Sequence, residues 1–450
     1  MAVAPGNELT GRVSGEVILP HHATYDAARA IFNATVDRRP EVIVRPRTVA
    51  DVVASVRWAR DADLPIAVRG GGHSVAGHAV ADGALVIDLS LMRAVEVDAP
   101  GRLAHARGGG LWEDVDGPTT AFNLATPGGT FVDTGIGGLT LGGGIGLLMP
   151  LAGFTCDNLV EAELVTASGD MVIAGPNGDP ELLWALRGGG GNFGVVTRFT
   201  YRLTPIGPMF GGRIRYPATS ARAVYARLGE IVDRFPTAFL PTIGLAKDPE
   251  LGQIVTIVLG VVDGTDPDLV AGMLRRSLPV VADDLRPMTY LELQAESGII
   301  PFGLRHYWKG HFLRELDADL FSHLATEFPP PESMSEAFVL LEGITGAGRL
   351  EPPGGAAFGQ RAAEWNASAI AIWESAADDA AAIGWARSVN EALDGASLSG
   401  AGYVNYSPPD ESSDRVRAVF GPERWERLVA VKRRYDPENV FRFNHNISPA

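Results

Sequence analysis

Three consecutive glycines at 70–72 constrain this chain more than any other stretch, because they stand between a short apolar strand and an imidazole. The strand is predicted at 65–68, and His73 and Ser74 follow the glycines directly. Glycine has no Cβ, so this bend can adopt positive φ and pass close to a flat or an anionic ligand. Successive backbone N–H groups in such a bend can form an anion-binding concavity. The sequence therefore predicts a ligand-facing turn that presents His73.

Glycine-rich turns of the same kind recur along the chain. The sequence of 450 residues contains 54 glycines, with clusters at 70–72, 108–110, 142–144 and 188–191. Flexible linkers mix glycine with serine and lack flanking apolar strands, so these clusters indicate ligand-facing turns. The stretch 127–146 is rich in glycine and poor in charge, which is typical of backbone packed on a large flat group or aimed at phosphate.

Composition and charge exclude several classes of function. The net charge of −16 argues against nucleic acid or an anionic membrane surface as the main partner. Cys156 is the single cysteine, so no intrachain disulfide is expected. The sequence contains no His-Glu-x-x-His, Cys-x-x-Cys or Walker motif, so neither a metal site nor phosphoryl transfer is predicted. The first residues lack the features of a signal peptide, and no apolar stretch approaches the ~20 residues of a membrane span. We expect a soluble, cytoplasmic monomer or homodimer.

The periodicity of the chain predicts an α+β fold. Residues 41–68 read as a β-α-β unit whose helix begins after the capping residue Thr48, and close-spaced strands follow. Of the Gly-x-Gly-x-x-Gly patterns near 142, none follows a strand, opens a clean helix and also has an acidic residue ~20 positions on, which argues against a nicotinamide-binding fold. Between 208 and 400, helices and strands alternate as expected for an antiparallel sheet with helices on one side. The aromatic strand 305–309 could line a pocket, although such residues more often form core, and the basic run 432–434 is expected on a solvated helix face.

The order of these motifs resembles the FAD-linked oxidoreductases with a vanillyl-alcohol-oxidase-type (PCMH) flavin domain, specifically the berberine-bridge-enzyme-like group. The matching segments are Arg-Gly-Gly-Gly-His-Ser at 69–74, the glycine-rich stretch 127–146 with 155–158, Gly-Gly-Asn-Phe-Gly-Val-Val-Thr at 190–197, Tyr-Val-Asn-Tyr at 403–406 and the closing motif 433–447. The resemblance implies a two-part FAD-binding domain at 1–207 (PCMH core about 37–206), a substrate domain at 208–400, and a segment 401–450 that returns to the FAD domain.

The resemblance also implies how the cofactor is held. In the family, the histidine of the first motif bonds covalently to the 8α-methyl carbon of the flavin, and the matching residue is His73. Phe131 stands where bicovalent members have a second, cysteine link, so a single attachment is implied. Thr134 occupies a position that influences O2 access in plant-type members, and its hydroxyl could instead hydrogen-bond near the flavin N5 edge.

Further residues are expected to bind FAD because they match the family motifs. They are Arg69, Gly70, Gly71, Gly72, Ser74, Gly77, His78, Gly128, Gly137, Gly138, Thr140, Gly143, Gly144, Gly146, Asp157, Asn158, Val195, Tyr403, Asn405 and Asn444.

Tyr406 matches the catalytic phenol of the family. An ordinary tyrosine has a pKa of about 10, so nearby positive charge or hydrogen bonding must lower the pKa of Tyr406 before it acts as a base near neutrality. The expected reaction is transfer of a hydride from an alcohol or amine carbon to FAD, with O2 as the electron acceptor, in a role that suits secondary metabolism. A sugar, a secondary alcohol, an amine and a polyketide-like intermediate all stay open as the small-molecule substrate. The alternatives are an oxygenase that uses an oxygen adduct of the flavin and a flavin dehydrogenase or carrier without oxidase activity.

Overall fold

The structure is a computed structural model that describes residues 6–450. The helices are α1 (Gly6–Thr10), α2 (Tyr25–Arg29), α3 (Val49–Asp61), α4 (Trp112–Thr120), α5 (Ile136–Leu141), α6 (Met149–Ala152), α7 (Pro180–Leu186), α8 (Ala221–Arg234), α9 (Pro267–Arg275), α10 (Tyr290–Ala295), α11 (Ala318–Glu327), α12 (Asp379–Leu393) and α13 (Ser413–Tyr435). Within this described range, no helix combines the length and the apolarity needed to cross a bilayer.

The strands form a four-stranded and a five-stranded sheet in the first half of the chain, one large sheet in the second, and a separate two-stranded pair. They are β1 (Glu16–Ile18), β2 (Val42–Arg45), β3 (Ile66–Arg69), β4 (Leu85–Asp88), β5 (Val95–Asp98), β6 (Leu103–Arg107), β7 (Leu124–Ala125), β8 (Leu159–Val165), β9 (Met171–Ala174), β10 (Val195–Arg202), β11 (Thr204–Pro205), β12 (Met209–Pro217), β13 (Thr242–Asp248), β14 (Gly252–Val261), β15 (Ala282–Asp283), β16 (Arg286–Met288), β17 (Arg305–Leu313), β18 (Glu336–Gly343) and β19 (Trp365–Trp373). The predicted α+β fold is confirmed.

The first sheet delivers the glycine turn to the site. Its strand order is β1-β2-β4-β3, with β4 parallel to both neighbours. Helix α3 begins where predicted, since the Thr48 hydroxyl accepts a hydrogen bond from the Asp51 amide and the Asp51 carboxylate accepts one from the Thr48 amide. Strand β4 lies between the two strands of the predicted β-α-β unit. Strand β3 ends at Arg69, so the turn 70–72 emerges at the carboxyl edge of this sheet.

The second sheet is antiparallel and has the order β5-β6-β10-β8-β9. Its buried face carries Phe199 and Tyr201, which stack with ring centroids 6.0 Å apart. The glycine clusters 108–110 and 188–191 immediately follow β6 and precede β10, so this sheet supplies two more turns to the region of His73.

The third sheet has the order β15-β12-β14-β13-β18-β19-β17, with β16 paired to β12, and its strand pairs are antiparallel. Helices α8, α9, α11 and α12 cover one face, on which Ile243 and Leu341 belong to the shared core. Because side chains alternate along a strand, Thr242 and Glu342 project to the opposite face. The predicted sheet with helices on one side is confirmed, although sequence periodicity did not reveal β12 and β13.

The C-terminal segment corrects one expectation. Lys432 is fully buried, and its ammonium donates to the Asp436 carboxylate at 2.6 Å and to the backbone oxygens of Asn192 and Phe441. The prediction that it lies on a solvated helix face is therefore wrong, although Arg433 next to it is exposed. A buried ammonium is tolerated because all three of its N–H groups have acceptors. This anchor ties α13 to the loop before β10.

Candidate active site

A large cavity, open to solvent on one side, lies where the glycine turns, the open face of the third sheet and the C-terminal segment meet. Its wall includes these residues predicted from the motifs: Gly70, Gly71, Gly72, His73, Ser74, His78, Thr134, Gly137, Gly138, Tyr403, Asn405, Tyr406 and Asn444. The fold therefore brings together motifs that are more than 300 residues apart in the chain.

Much of the wall is bare backbone, and at two places the absence of a Cβ is obligatory. A Cβ on Gly71 would lie 2.5 Å from the Gly135 nitrogen, and one on Gly135 would lie 2.3 Å from the Gly71 nitrogen. The turn 70–72 and the start of α5 are thus pressed together backbone to backbone. At Gly138, in contrast, a Cβ would meet nothing within 4 Å, because that position faces open space. Such a surface suits a flat aromatic group or a phosphate chain.

His73 is held by aromatic rings and by a carboxylate. Its ring stacks on Phe32 with centroids 4.6 Å apart and meets Phe302 edge-on at 5.3 Å. His306 also stacks on Phe32, with ring centroids 4.1 Å apart, and burial lowers the pKa of His306 to about 3. His73 Nε2 lies 3.2 Å from Oδ2 of Asp133. The imidazole is therefore fixed in plane while it lines the cavity.

Tyr406 faces a carboxylate, whereas a lowered pKa would require a nearby positive charge or hydrogen bonds to the phenolate. Its hydroxyl donates to Oε1 of Glu342 at 3.4 Å, and Asn366 Nδ2 donates to the other carboxylate oxygen at 2.8 Å. Burial raises the pKa of Glu342 to about 7. Burial and the Glu342 charge together raise the pKa of Tyr406 well above its ordinary value. The hypothesis of a lowered phenol pKa is not supported by this arrangement, because the phenol keeps its proton and Glu342 is the group poised to titrate.

The other residues of the 403–406 motif anchor the C-terminal segment to the glycine-rich stretch. The Tyr403 hydroxyl accepts from the Gly144 amide at 2.8 Å and from Asn405 Nδ2 at 2.8 Å. Asn405 Nδ2 also donates to the Leu139 carbonyl at 3.1 Å. Burial raises the pKa of Tyr403. Tyr403 is therefore a neutral structural link that sets where Tyr406 stands.

His78 belongs to a second imidazole pair on the wall. Its ring meets that of His445 edge-on at 4.8 Å, and His445 Nε2 donates to the Val404 carbonyl at 2.9 Å. Burial, followed by the neighbouring His445, lowers the pKa of His78 to about 3. This pair is neutral over the physiological range, so it contributes shape and hydrogen bonding but no charge.

Several residues predicted to bind the cofactor do not line the cavity, and some of them form hydrogen bonds with other parts of the protein instead. Two N–H groups of Arg361 donate to Asp157, one of them at 2.9 Å, and Asn158 Nδ2 donates to the Ala152 carbonyl at 2.9 Å. Thr140 bonds the Tyr201 hydroxyl at 2.7 Å. The remaining members of this group are Arg69, Gly77, Gly128, Gly143, Gly144, Gly146 and Val195. For all of them, direct contact with the cofactor stays a prediction.

Sequence reasoning missed Glu342 and Asp133 and left Trp308 undecided. Trp308 lines the cavity, meets Tyr406 edge-on at 5.3 Å, and has an indole N–H with no partner among the described residues. Tyr307, one residue away, belongs to the core under the helices. The sequence could have drawn attention to both acids, because Glu342 is the lone charge in the apolar run 337–345 and Asp133 is the lone charge in the glycine-rich stretch 127–146.

Comparisons with known proteins point to one family of proteins. The FAD binding domain family matches residues 40–175, and the family described as berberine and berberine like matches 402–448. (R)-6-hydroxynicotine oxidase of Paenarthrobacter nicotinovorans is 33% identical over 97% of both chains. The chain belongs to the berberine-bridge-enzyme-like family of FAD-linked oxidoreductases. The FAD-linked oxidoreductase aurO of Gibberella zeae, 31% identical over 96% of this chain and 84% of its own, is a further relative.

Solved structures of this family share the fold. The crystal structure of 6-hydroxy-D-nicotine oxidase from Arthrobacter nicotinovorans has a TM-score of 0.90 and 32% identity, with coverage of 97% and 98% of the two chains. The H104A variant of berberine bridge enzyme has a TM-score of 0.86 at 20% identity over 98% of both, which supports the fold alone. The chain is thus an FAD-dependent oxidoreductase of an oxidase family whose members take small-molecule substrates and O2.

Proposed function

We propose that this enzyme carries one FAD bonded to His73 and oxidises a C–H next to the nitrogen or oxygen of a compact, largely apolar amine or alcohol. Tyr406 and Glu342 remove the heteroatom proton. The observation that carries this proposal is the hydrogen bond from the Tyr406 hydroxyl to the buried Glu342 carboxylate inside the glycine-walled cavity. We divide the chain as the motifs suggest, into an FAD-binding part at 1–207, a substrate part at 208–400 and a returning segment at 401–450.

The residues present fit FAD. The backbone walls at 70–72 and 137–138 leave room for a ring system and a diphosphate, and the amide oxygen Oδ1 of Asn444 is buried beside the cavity without a partner among the described residues. His73 lines the same space and matches the attachment residue of the family. Phe131, which also lines it, has no atom able to form a second covalent link. These observations support a single attachment.

When bound in this cavity, FAD would supply the acceptor for the hydride and the route of the electrons to O2. The chain handles the proton. The raised pKa of Tyr406 keeps the phenol protonated, so it works as a relay: its oxygen accepts the proton of the substrate O–H or N–H while its own proton moves to Oε1 of Glu342. Glu342 accepts only as the carboxylate. Because its pKa is raised to about 7, the enzyme gains activity as the pH rises through that value.

The lining of the cavity near Tyr406 favours an apolar substrate over a sugar. Phe131, Ile300, Trp308 and Phe32 surround this end, with few polar groups beyond Tyr406 and Thr134. A sugar exposes many hydroxyl groups, each of which loses water on entering such a site and needs a partner there. An aromatic or heteroaromatic amine matches this surface, and a relative with 33% identity is an oxidase of 6-hydroxynicotine.

Two measurements test the proposal. Acid precipitation of the purified protein is expected to give a yellow pellet, and the His73→Ala variant is expected to release its flavin into the supernatant. Anaerobic mixing with aromatic amines, secondary alcohols and oligosaccharides then identifies the class that bleaches the flavin absorbance. Flavin that stays attached in His73→Ala refutes the linkage, and bleaching by oligosaccharides alone refutes the substrate class.

A further inference from the structure

The carboxylate of Asp133 stands beside the imidazole proposed to hold the flavin. Oδ2 lies 3.2 Å from His73 Nε2, with 14% of the histidine side chain and 19% of the aspartate side chain exposed. The two atoms are close enough for a hydrogen bond, but the angle at Nε2 is unfavourable in the present geometry, so the contact is a close approach without a hydrogen bond. The other carboxylate oxygen, Oδ1, is buried and has no hydrogen-bond partner among the described residues.

Backbone packing fixes the distance between the two residues. His73 follows Gly71 by two positions, and Asp133 precedes Gly135 by two. Gly71 and Gly135 touch so closely that neither accommodates a Cβ. The Phe32 stack then sets the plane of the imidazole. The pair is therefore positioned by two rigid turns and an aromatic ring, and its position does not depend on long flexible side chains.

The pairing also distinguishes the two ring nitrogens. A carboxylate next to Nε2 favours the tautomer that carries its proton there, and this leaves the lone pair on Nδ1. Nδ1 is then the nucleophilic atom, and His73 is on the cavity wall. A carboxylate that orients a histidine and stabilises its cationic form is a recurrent arrangement in catalysis.

We propose that Asp133 positions and polarises His73 for covalent attachment of the flavin by holding Nε2 of the imidazole toward its carboxylate. This inference rests on the proposed attachment at His73. In the step, the Nδ1–C8α bond forms and one C–H bond of the 8α-methyl group breaks, with its proton passing to water. The electron pair of that C–H bond enters the flavin ring, which ends two-electron reduced, and O2 reoxidises it to give hydrogen peroxide. The imidazole becomes cationic on alkylation, faces the Asp133 carboxylate, and returns to neutral by losing the Nε2 proton.

The test follows attachment itself, without substrate. Asp133→Asn is purified, loaded with FAD, and sampled over time for flavin that co-precipitates with protein in acid. We expect non-covalent FAD to bind, as measured by quenching of flavin fluorescence, while attachment slows by about 100-fold. Asp133→Glu, which keeps the charge, is expected to recover part of the rate. Attachment at the wild-type rate in Asp133→Asn overturns the inference.

A second measurement decides the matter even where Asp133→Asn does not fold. A crystal structure of the loaded wild-type enzyme shows whether Nε2 still faces Asp133 once the flavin is attached. A hydrogen-bond distance between Nε2 and the Asp133 carboxylate supports the inference, and an Nε2 atom turned away from Asp133 overturns it. The His73→Ala control separates the two proposals. If that variant keeps covalent flavin, the attachment site is wrong. If it loses covalent flavin while Asp133→Asn attaches normally, only the role of Asp133 is wrong.

Discussion

Replacing Glu342 by glutamine is expected to make the enzyme slower and, at alkaline pH, more stable. Glutamine has nearly the same shape. Its amide oxygen can still accept from Asn366, and its NH2 group can donate to the Tyr406 oxygen, so the hydrogen-bonded row of β18, β19 and the 403–406 motif is preserved. What changes is the titratable proton. The variant therefore separates proton transfer from packing.

The stability effect follows from the raised pKa of Glu342. Burial lifts that pKa from 4.5 to about 7, so between these values the folded chain holds a proton that the unfolded chain has released. The native state binds more protons in this window, and the free energy of unfolding falls as the pH rises through it. At 1.36 kcal/mol per pKa unit, the full effect above pH 7 is about 3 kcal/mol. We expect Glu342→Gln to recover up to about 3 kcal/mol at pH 8 and to gain nothing near pH 4.5.

The kinetic effect has the opposite sign. Loss of the proton acceptor is expected to slow flavin reduction by about 10²- to 10⁴-fold, the range typical of a positioned acid or base. In the wild type, the reduction rate rises with pH through about 7 as Glu342 ionises. Glu342→Gln is expected to lose that rise. The assay is anaerobic stopped-flow flavin bleaching from pH 5 to 9, paired with urea denaturation at the same pH values.

Asp116 offers a matched control for the stability measurement. It is buried on α4, it is absent from the cavity wall, and burial raises its pKa to about 7. Asp116→Asn is expected to flatten the pH dependence of stability in the same window while the kinetic rise near pH 7 stays. If Glu342→Gln keeps the wild-type kinetic pH profile, Glu342 is not the proton acceptor. If only Asp116→Asn changes the stability profile, the pKa of Glu342 is not raised in the folded state.

Two further variants test the relay and the support behind the cavity. Tyr406→Phe is expected to slow flavin reduction by about 10²- to 10⁴-fold without changing the acid-precipitable flavin, and an unchanged reduction rate would remove it from the proton path. Asp157→Asn removes the buried carboxylate from Arg361 and leaves it the half-exposed Glu351 carboxylate at 3.6 Å, so urea denaturation is expected to show a loss of about 3–5 kcal/mol. The exposed pair of Arg215 with Asp284 serves as control, because Asp284→Asn is expected to cost less than about 1 kcal/mol. Equal losses in the two variants would contradict a buried, structural role for Asp157.

Local chemistry explains which parts of the fold were predictable. Thr48 indicates the start of a helix because its hydroxyl accepts a hydrogen bond from a backbone amide that has no partner within the helix. The triple glycine indicates a turn because a side chain at Gly71 would collide with the backbone of Gly135. Periodicity in the same way predicts the helices α8, α9, α11 and α12, but only four of the eight strands of the third sheet. Strand β13 was not predicted, since Thr242 begins a run that contains a glycine and a lysine and that gains its strand character from two neighbouring strands.

The contacts of the site could not be predicted where they join segments that are far apart in the sequence. Tyr406 and Glu342 are 64 residues apart, and Glu342 meets the phenol because β18 places it opposite Asn366 on the open face of the sheet. Lys432 failed as a prediction for the same reason. Two arginines follow it and suggest an exposed basic run, and only the fold brings the loop before β10 over its ammonium.

The two overlooked acids point to a general rule for sequences of this kind. Glu342 ends the apolar run of β18, and Asp133 is the lone charge of the stretch 127–146. Burying a carboxyl group without full compensation costs free energy, which for Glu342 appears as its raised pKa. An apolar residue in either place would avoid that cost. A lone acid in a run without other charges therefore indicates a role in proton transfer or in orienting a partner. Here Glu342 faces the Tyr406 phenol, and Asp133 faces the His73 imidazole.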